Sequence, residues 1–337
     1  GKNSIGFDVN PIGVLATDVK TTKYNKENLI ELEYVTNSIH KISIEEFDYP
    51  KWKPMERYIK KDTLNVLMSI SWYINNESFS LNVENLLKLL WLSIIEEVSD
   101  YKKDGNGIKY RKRDVHHSEI IDIFIQKIDI AINDIKSNYF VYNYNQQVSI
   151  FNDSSMNINN YLNKLDKIDA IITSPPYANC FDYFEVYKVE LWMGGFIQTH
   201  DEWKKLKKSA LRNNINSDLS KKDTLESEHF LFIMEEIQNR VEAEMIRDKN
   251  IPVMLHNYFY DLQTLLTNVR VNLNNNAIVS IIVGNSAYGG KVIPTDEIII
   301  DIAENLNYTL LEHIVARPLR TSSQQMKIIE DNEKPLL

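Results

Sequence analysis

The chain has 337 residues, 43% hydrophobic and 25% charged, the make-up of a globular protein able to bury one large core or two. No apolar run approaches the ~20 residues that span a bilayer, so no membrane partner is expected. A net charge of −9 excludes a chain that coats nucleic acid non-specifically, though not a local basic face; the single cysteine, Cys180, excludes an internal disulfide and a cysteine-based zinc site and fits a reducing cytoplasm.

Ser4 to Val9 reads as a short buried strand that ends in an acid, Asp8, and Asn10-Pro11 breaks it before a helix from Ile12. Residues 28–48 alternate weakly, as a hairpin or irregular strands would. From about 61 to 100 the pattern is helical, with Leu81, Leu86, Leu87, Leu90 and Ile94 near one face. Tyr101 to Arg113 follows as a glycine-containing basic loop. Ile120 to Ile135 is amphipathic, its stripe formed by Ile121, Phe124, Ile125, Ile128 and Ile132. Val148 to Phe151 is a strand closed by Asn152-Asp153-Ser154, and Ile168 to Thr173 is another. Phe184 to Met193 reads as helix, 200–228 as a polar lysine-rich stretch, and 229–248 and 253–271 as helices. Ala277 to Val283 is the most apolar strand, ended by Gly284-Asn285-Ser286. Thr295 to Asn305 is helical and Tyr308 to Ala316 a final strand. The tryptophans, Trp72 among them, read as packing residues. Strands separated by helical patterns predict an α/β fold with a mostly parallel sheet, whose ligands bind at the carboxyl ends of the strands. Asp8, Asp153 and Ser174 all lie at such ends. There an acid can hold ribose hydroxyls, although Asp is equally at home as a helix cap or turn former.

The Ile168–Thr173 strand runs straight into Ser174-Pro175-Pro176-Tyr177. An exocyclic amine on a planar ring is a poor nucleophile, because its lone pair is delocalised. Acceptors for both N–H groups draw the nitrogen toward tetrahedral geometry. Ser174 offers a hydroxyl and Pro175 a carbonyl with no N–H of its own. Two prolines stiffen the turn in advance of substrate, and Tyr177 offers a face on which a base can stack.

Thr173-Ser174-Pro175-Pro176-Tyr177 resembles catalytic motif IV of the S-adenosylmethionine-dependent amino methyltransferases of DNA, in the form associated mostly with N4-cytosine enzymes. Gly1 to Pro11 is similar to the segment around motif II of that family, and Asn152-Asp153-Ser154 to motif III. Phe181 to Leu191, Tyr258 to Arg270 and Ile281 to Ser286 resemble later segments. The resemblance implies a Rossmann-like class I methyltransferase sheet. It places S-adenosylmethionine on Asp8, Asn10, Asp153, Ser154 and Thr173, and a flipped base of double-stranded DNA on Ser174, Pro175, Pro176 and Tyr177. Residues 1–24 and 146–337 would form the catalytic domain and 25–145 a mostly helical insertion for DNA recognition, with residues 200–250 as a second candidate for that role. The family's motif I, a strand followed by Asp-Pro-Phe-x-Gly-x-Gly-Thr, does not occur in these 337 residues. The resemblance implies that it lies upstream of Gly1, in cis or on a second chain.

The Tyr101–Arg113 segment holds Lys102, Lys103, Lys109, Arg111, Lys112 and Arg113 against one acid. It reads as a DNA-contacting loop or as a solvated surface. No metal ligand set is expected: the adjacent His116 and His117 point different ways. Rival readings are N6-adenine methylation, modification of RNA or a protein glutamine, and a non-catalytic DNA-binding or scaffold subunit. Membership of the family implies a role in restriction–modification or a related defence system.

Overall fold

A computed structural model describes residues 2–105, 107–138, 147–162, 167–220, 225, 227–318 and 328–329. Gly1, Asn106, residues 221–224 and 226 of the lysine-rich stretch, and parts of both expected domains lie outside them. The chain is a mixed α/β protein forming two compact units, Gly1–Asp153 with Tyr183–Leu206, and Ser154–Asp182 with Lys207–Leu337.

In the first unit β1 (Ser4–Phe7) leads into α1 (Pro11–Thr21), followed by α2 (Lys26–Ser38), the single turn α3 (Met55–Tyr58), α4 (Lys61–Asn76) and α5 (Leu81–Val98). Then come β2 (Tyr101–Asp104), β3 (Gly107–Tyr110), α6 (His117–Asn138) and β4 (Val148–Phe151). After an excursion into the second unit the chain returns with α7 (Tyr183–Val186) and α8 (Lys188–Met193), and α9 (His200–Ser209) carries it out again. The core is a helical layer in which Leu64, Leu67 and Ile70 of α4, Leu87, Trp91, Ile94 and Ile95 of α5, and Ile120, Phe124 and Ile128 of α6 are buried. Trp91 also donates its indole N–H to the Leu67 carbonyl at 2.8 Å, so its one polar atom is satisfied. β1 and β4 pair in parallel, Phe7 opposite Phe151, and α1 packs on β4 and α5.

In the second unit β5 (Ile168–Thr173) and β6 (Leu273–Ile281) pair in parallel, Thr173 opposite Ile281. α10 (Glu228–Glu242), α11 (Ile251–Arg270) and α12 (Thr295–Asn305) supply Phe230, Ile233, Met254, Phe259, Leu262, Ile298 and Ile302 to one core, onto which Val279 and Ile281 of β6 pack. β7 (Ser286–Tyr288) and β8 (Lys291–Ile293) form a hairpin through Gly289 and Gly290, both at positive φ.

The strands among the described residues form four two-stranded ribbons, two parallel and two antiparallel, rather than one continuous sheet. Among the described residues β1 pairs only with β4 and β5 only with β6. Four further expectations need correction. Residues 26–38 are helical, not strand: Asn25 and Asn28 form a reciprocal cap, and Asn28, Leu32, Val35 and Ile39 face inward at helical spacing while Ile30 and Tyr34 are exposed. The basic loop is the β2–β3 hairpin. Residues 308–316 form no strand, and Leu311, Ile314 and Val315 are exposed. Finally, Leu81 and Trp72 stand in solvent rather than packing. No helix among the described residues is long and apolar enough to cross a membrane.

Candidate active site

Parallel pairing of β1 and β4 puts the residues after Phe7 and after Phe151 at the same end of the ribbon. Asp8 and Asp153 therefore share one edge, tied together by the Asn152 side chain, which donates to the carbonyls of Asp8 and Val9 at 3.0 and 3.1 Å. One oxygen of the Asp8 carboxylate accepts the Asn10 N–H at 2.8 Å, and Asn10 in turn caps α1 by accepting the Ile12 N–H at 3.0 Å. Burial pushes the Asp8 carboxyl above its usual range, with the Asn10 N–H opposing. Gly13, in the first turn of α1, leaves the space this carboxylate occupies; a Cβ there would collide with it. The residues implied for nucleotide binding in this unit, Asp8, Asn10 and Asp153, are thus brought to one ribbon end. Ser154 begins the second unit, where it is buried and caps a short 3-10 turn, Ser155–Asn160.

In the second unit the same geometry recurs. β5 and β6 are parallel, and the Thr173 carbonyl accepts the Ile282 N–H at 2.9 Å as the last bond of the ladder. Ser174 to Tyr177 and Val283 to Ser286 consequently leave the ribbon at one end, where ligands of α/β sheets bind. Ser174 is exposed, Pro175 is buried, and Pro176 and Tyr177 are half-buried. The serine hydroxyl is therefore open to a ligand while the prolines anchor the turn. Ala178 is fully buried in the core of α10, α11 and α12, so the hydrophobic core fixes the turn directly. Cys180 sits at φ 60°, a left-handed conformation that costs a non-glycine residue roughly 1–2 kcal/mol and needs neighbours to impose it. Its thiol, raised by burial, meets the Tyr288 hydroxyl at 3.3 Å, and that hydroxyl donates to the Ala178 carbonyl at 2.8 Å. Asp182 is buried and pairs with Lys207 at 2.6 Å.

Sequence reading missed the residues that brace this turn: Tyr288, Lys207, Arg212 and Asn213. Tyr288 lies on a hairpin whose Gly289-Gly290 signal was legible, whereas Arg212 and Asn213 were hidden in the polar 200–228 stretch.

The six basic residues fall in the first unit with unequal surroundings. Lys102 and Lys109 flank Asp104 at 3.7 and 2.7 Å, and Lys109, then Lys102, hold that carboxyl below its usual range. Lys103 turns inward to the buried Glu190 of α8 at 2.7 Å and over the Tyr187 ring at 4.5 Å. The backbone N–H of Arg113 donates to the Asp100 carboxylate at 2.6 Å, and the residue is half-buried. Arg111 and Lys112 are exposed.

Comparison with known proteins bears on the same segments. The chain is 27% identical over 375 aligned residues to the type II methyltransferase M.BsoBI of Geobacillus stearothermophilus, covering 97% of this chain and 73% of that protein. It is 25% identical over 372 residues, with the same coverage, to the type II methyltransferases M.AvaI of Nostoc sp. and of Anabaena variabilis. No family profile and no solved structure matches the chain. A Ser-Pro-Pro-Tyr turn at the end of a parallel strand and similarity along nearly the whole chain converge: the protein is a relative of the type II methyltransferases.

Proposed function

We propose that the chain methylates the exocyclic amino group of a base in double-stranded DNA, with N4 of cytosine the favoured target, as the modification activity of a restriction–modification system in the cytoplasm. The observation that carries this reading is the Ser174–Tyr177 turn, held at the carboxyl end of β5 with its serine hydroxyl exposed and its prolines packed.

Chemistry at the turn follows from its atoms. The Ser174 hydroxyl and the Pro175 carbonyl accept the two N–H bonds of the amine, which localises the nitrogen lone pair for attack. Tyr177 stacks on the base, which must leave the duplex to reach the turn. S-adenosylmethionine supplies an electrophilic methyl group when bound. The residues at the ends of β1 and β4 fit its nucleoside: Asp8 for the ribose hydroxyls, with Gly13 clearing space beside the carboxylate, and Asp153 for the adenine amine. Asn10, Ser154 and Thr173 complete the proposed cofactor contacts. The Rossmann-like arrangement of the resembled family, with catalysis in 1–24 and 146–337 and recognition in 25–145, belongs to the same proposal. Arg111 and Lys112, with Lys102, Lys109 and Arg113, meet phosphates; Lys103 supports them from within.

A radiolabelled methyl-transfer assay on mixed-sequence duplex DNA, followed by nucleoside mass spectrometry, tests this. N4-methylcytosine is expected. N6-methyladenine would keep the mechanism and change the base, and DNA binding without transfer would turn the reading to a non-catalytic subunit.

A further inference from the structure

The backbone behind the catalytic turn is gripped by one residue from a distant part of the chain. The Asn213 side-chain Nδ2 donates to the Phe181 carbonyl at 2.9 Å and the Tyr177 carbonyl at 3.3 Å, while the Asn213 carbonyl accepts the Cys180 N–H at 3.1 Å. Asn213 is 2% exposed, so water cannot replace these bonds. They span both sides of Cys180, the residue held at positive φ. Asn213 is itself immobilised. Arg212, the preceding residue, donates its backbone N–H and its Nε to one oxygen of Asp261 on α11, at 3.0 and 2.9 Å, and a terminal guanidinium nitrogen to the other oxygen. A further bond at 3.4 Å reaches the Asn257 carbonyl on the same helix. The chain of support thus runs from α11 through Asp261 and Arg212 to Asn213 and then to the turn.

The Tyr177 carbonyl accepts the Asn179 N–H at 2.8 Å as well as the Asn213 amide at 3.3 Å; because a peptide plane is rigid, these donors together restrict ψ at Tyr177 and so the backbone that carries its ring. We propose that Asn213 is a positioning residue for the target base: it touches no substrate and acts by setting the Tyr177 backbone. This rests on the reading of Ser174–Tyr177 as the base-methylating turn. A merely structural asparagine would lower stability and leave turnover by the folded molecules unchanged. A positioning residue lowers turnover in molecules that remain folded, because misplacement of about 1 Å costs on the order of 100-fold.

The test is Asn213→Asp in the full-length protein, a near-isosteric change that replaces the donor with an acceptor facing two carbonyls. With folding verified by circular dichroism, kcat is expected to fall about 100-fold with KM for duplex DNA and for S-adenosylmethionine within about 3-fold of wild type. Amide hydrogen exchange at Ala178 to Phe181 is expected to rise. Should Asn213→Asp fail to fold, Asn213→Ala decides: it removes the same two donor bonds without setting an acceptor against the carbonyls, and kcat is expected to fall about 10-fold. A kcat within about 3-fold of wild type in the folded variant, or a rise in KM alone, overturns the proposal. If the wild-type protein transfers no methyl group, the methyltransferase reading falls separately. Exchange at 178–181 then judges the clamp, and unchanged protection in Asn213→Asp overturns it.

Discussion

Replacing Arg212 with Met keeps most of the aliphatic stem and removes the guanidinium from a site where its side chain and that of Asp261 are 8% and 6% exposed. The carboxylate then retains the backbone N–H of residue 212 and loses two charge-assisted bonds. Such bonds are worth about 1.5–3 kcal/mol each, and stripping one partner from a buried pair costs about 3–5 kcal/mol. The surviving N–H places the expected loss in the lower half of that range, about 3–4 kcal/mol. Replacing both residues, Arg212→Met with Asp261→Leu, leaves no orphaned charge and is expected to cost under about 2 kcal/mol, less than the single variant. Tryptophan fluorescence cannot report this, because Trp52, Trp72, Trp91, Trp192 and Trp203 all lie in the first unit. Hydrogen exchange of α10 and α11 peptides reads it directly. Protection in Arg212→Met within about 1 kcal/mol of wild type, or a double variant as unstable as the single, would refute the reasoning.

Ser174→Ala with Tyr177→Ala should abolish methyl transfer and spare duplex binding in a gel-shift assay; unchanged activity would remove the catalytic assignment. Gly13→Ala, which in an ordinary helix would gain up to about 1 kcal/mol, should instead displace the Asp8 carboxylate and weaken S-adenosylmethionine binding in calorimetry. Burial raises the Glu190 carboxyl above its usual range, with Lys103 and then Tyr101 opposing. Between the unfolded and the raised value the native protein binds more protons than the unfolded chain, so stability of the first unit should fall as pH rises through that window. Glu190→Gln should flatten this dependence, read by tryptophan fluorescence in urea. Arg111→Ala with Lys112→Ala should weaken DNA binding and make the salt dependence shallower, by a slope of about 0.9 for each phosphate no longer neutralised.

The strands that matter for chemistry were legible because each combines a short apolar run with a sharp polar stop: Phe7 before Asp8, Phe151 before Asn152, Thr173 before Ser174-Pro175. The helix α2 was not. Its Leu-Ile-Glu-Leu-Glu-Tyr-Val run mimics period-two alternation, and only burial distinguishes inward Leu32 and Val35 from outward Ile30 and Tyr34. The apolar residues of 308–316 carry strand propensity, yet a strand exists only where a neighbour accepts its ladder, which local sequence does not record. Asp104-Gly105 and Gly107 did signal the β2–β3 turn, with Gly105 at positive φ, and were outweighed by the lysines around them. The clamp on the turn was invisible for another reason. Asn213 and Asp261 are polar residues in ordinary contexts, and their meaning lies in partners 32 and 49 positions away along the chain.

The pairing of β5 with β6 has a consequence for synthesis. Thr173 finds its ladder partner at Ile281, roughly a hundred residues later, with a stretch that belongs to the other unit in between. A nascent chain must therefore carry a β-prone, apolar segment through a long interval before closure rewards it. Closing a loop of that length is entropically costly, and non-local pairing of this kind slows folding. Until β6 leaves the ribosome, the backbone of Ala170 to Thr173 has no native ladder partner, a vulnerability to aggregation that a chaperone would relieve. The Ser174–Tyr177 turn is thus translated roughly a hundred residues before the strand that completes its ribbon.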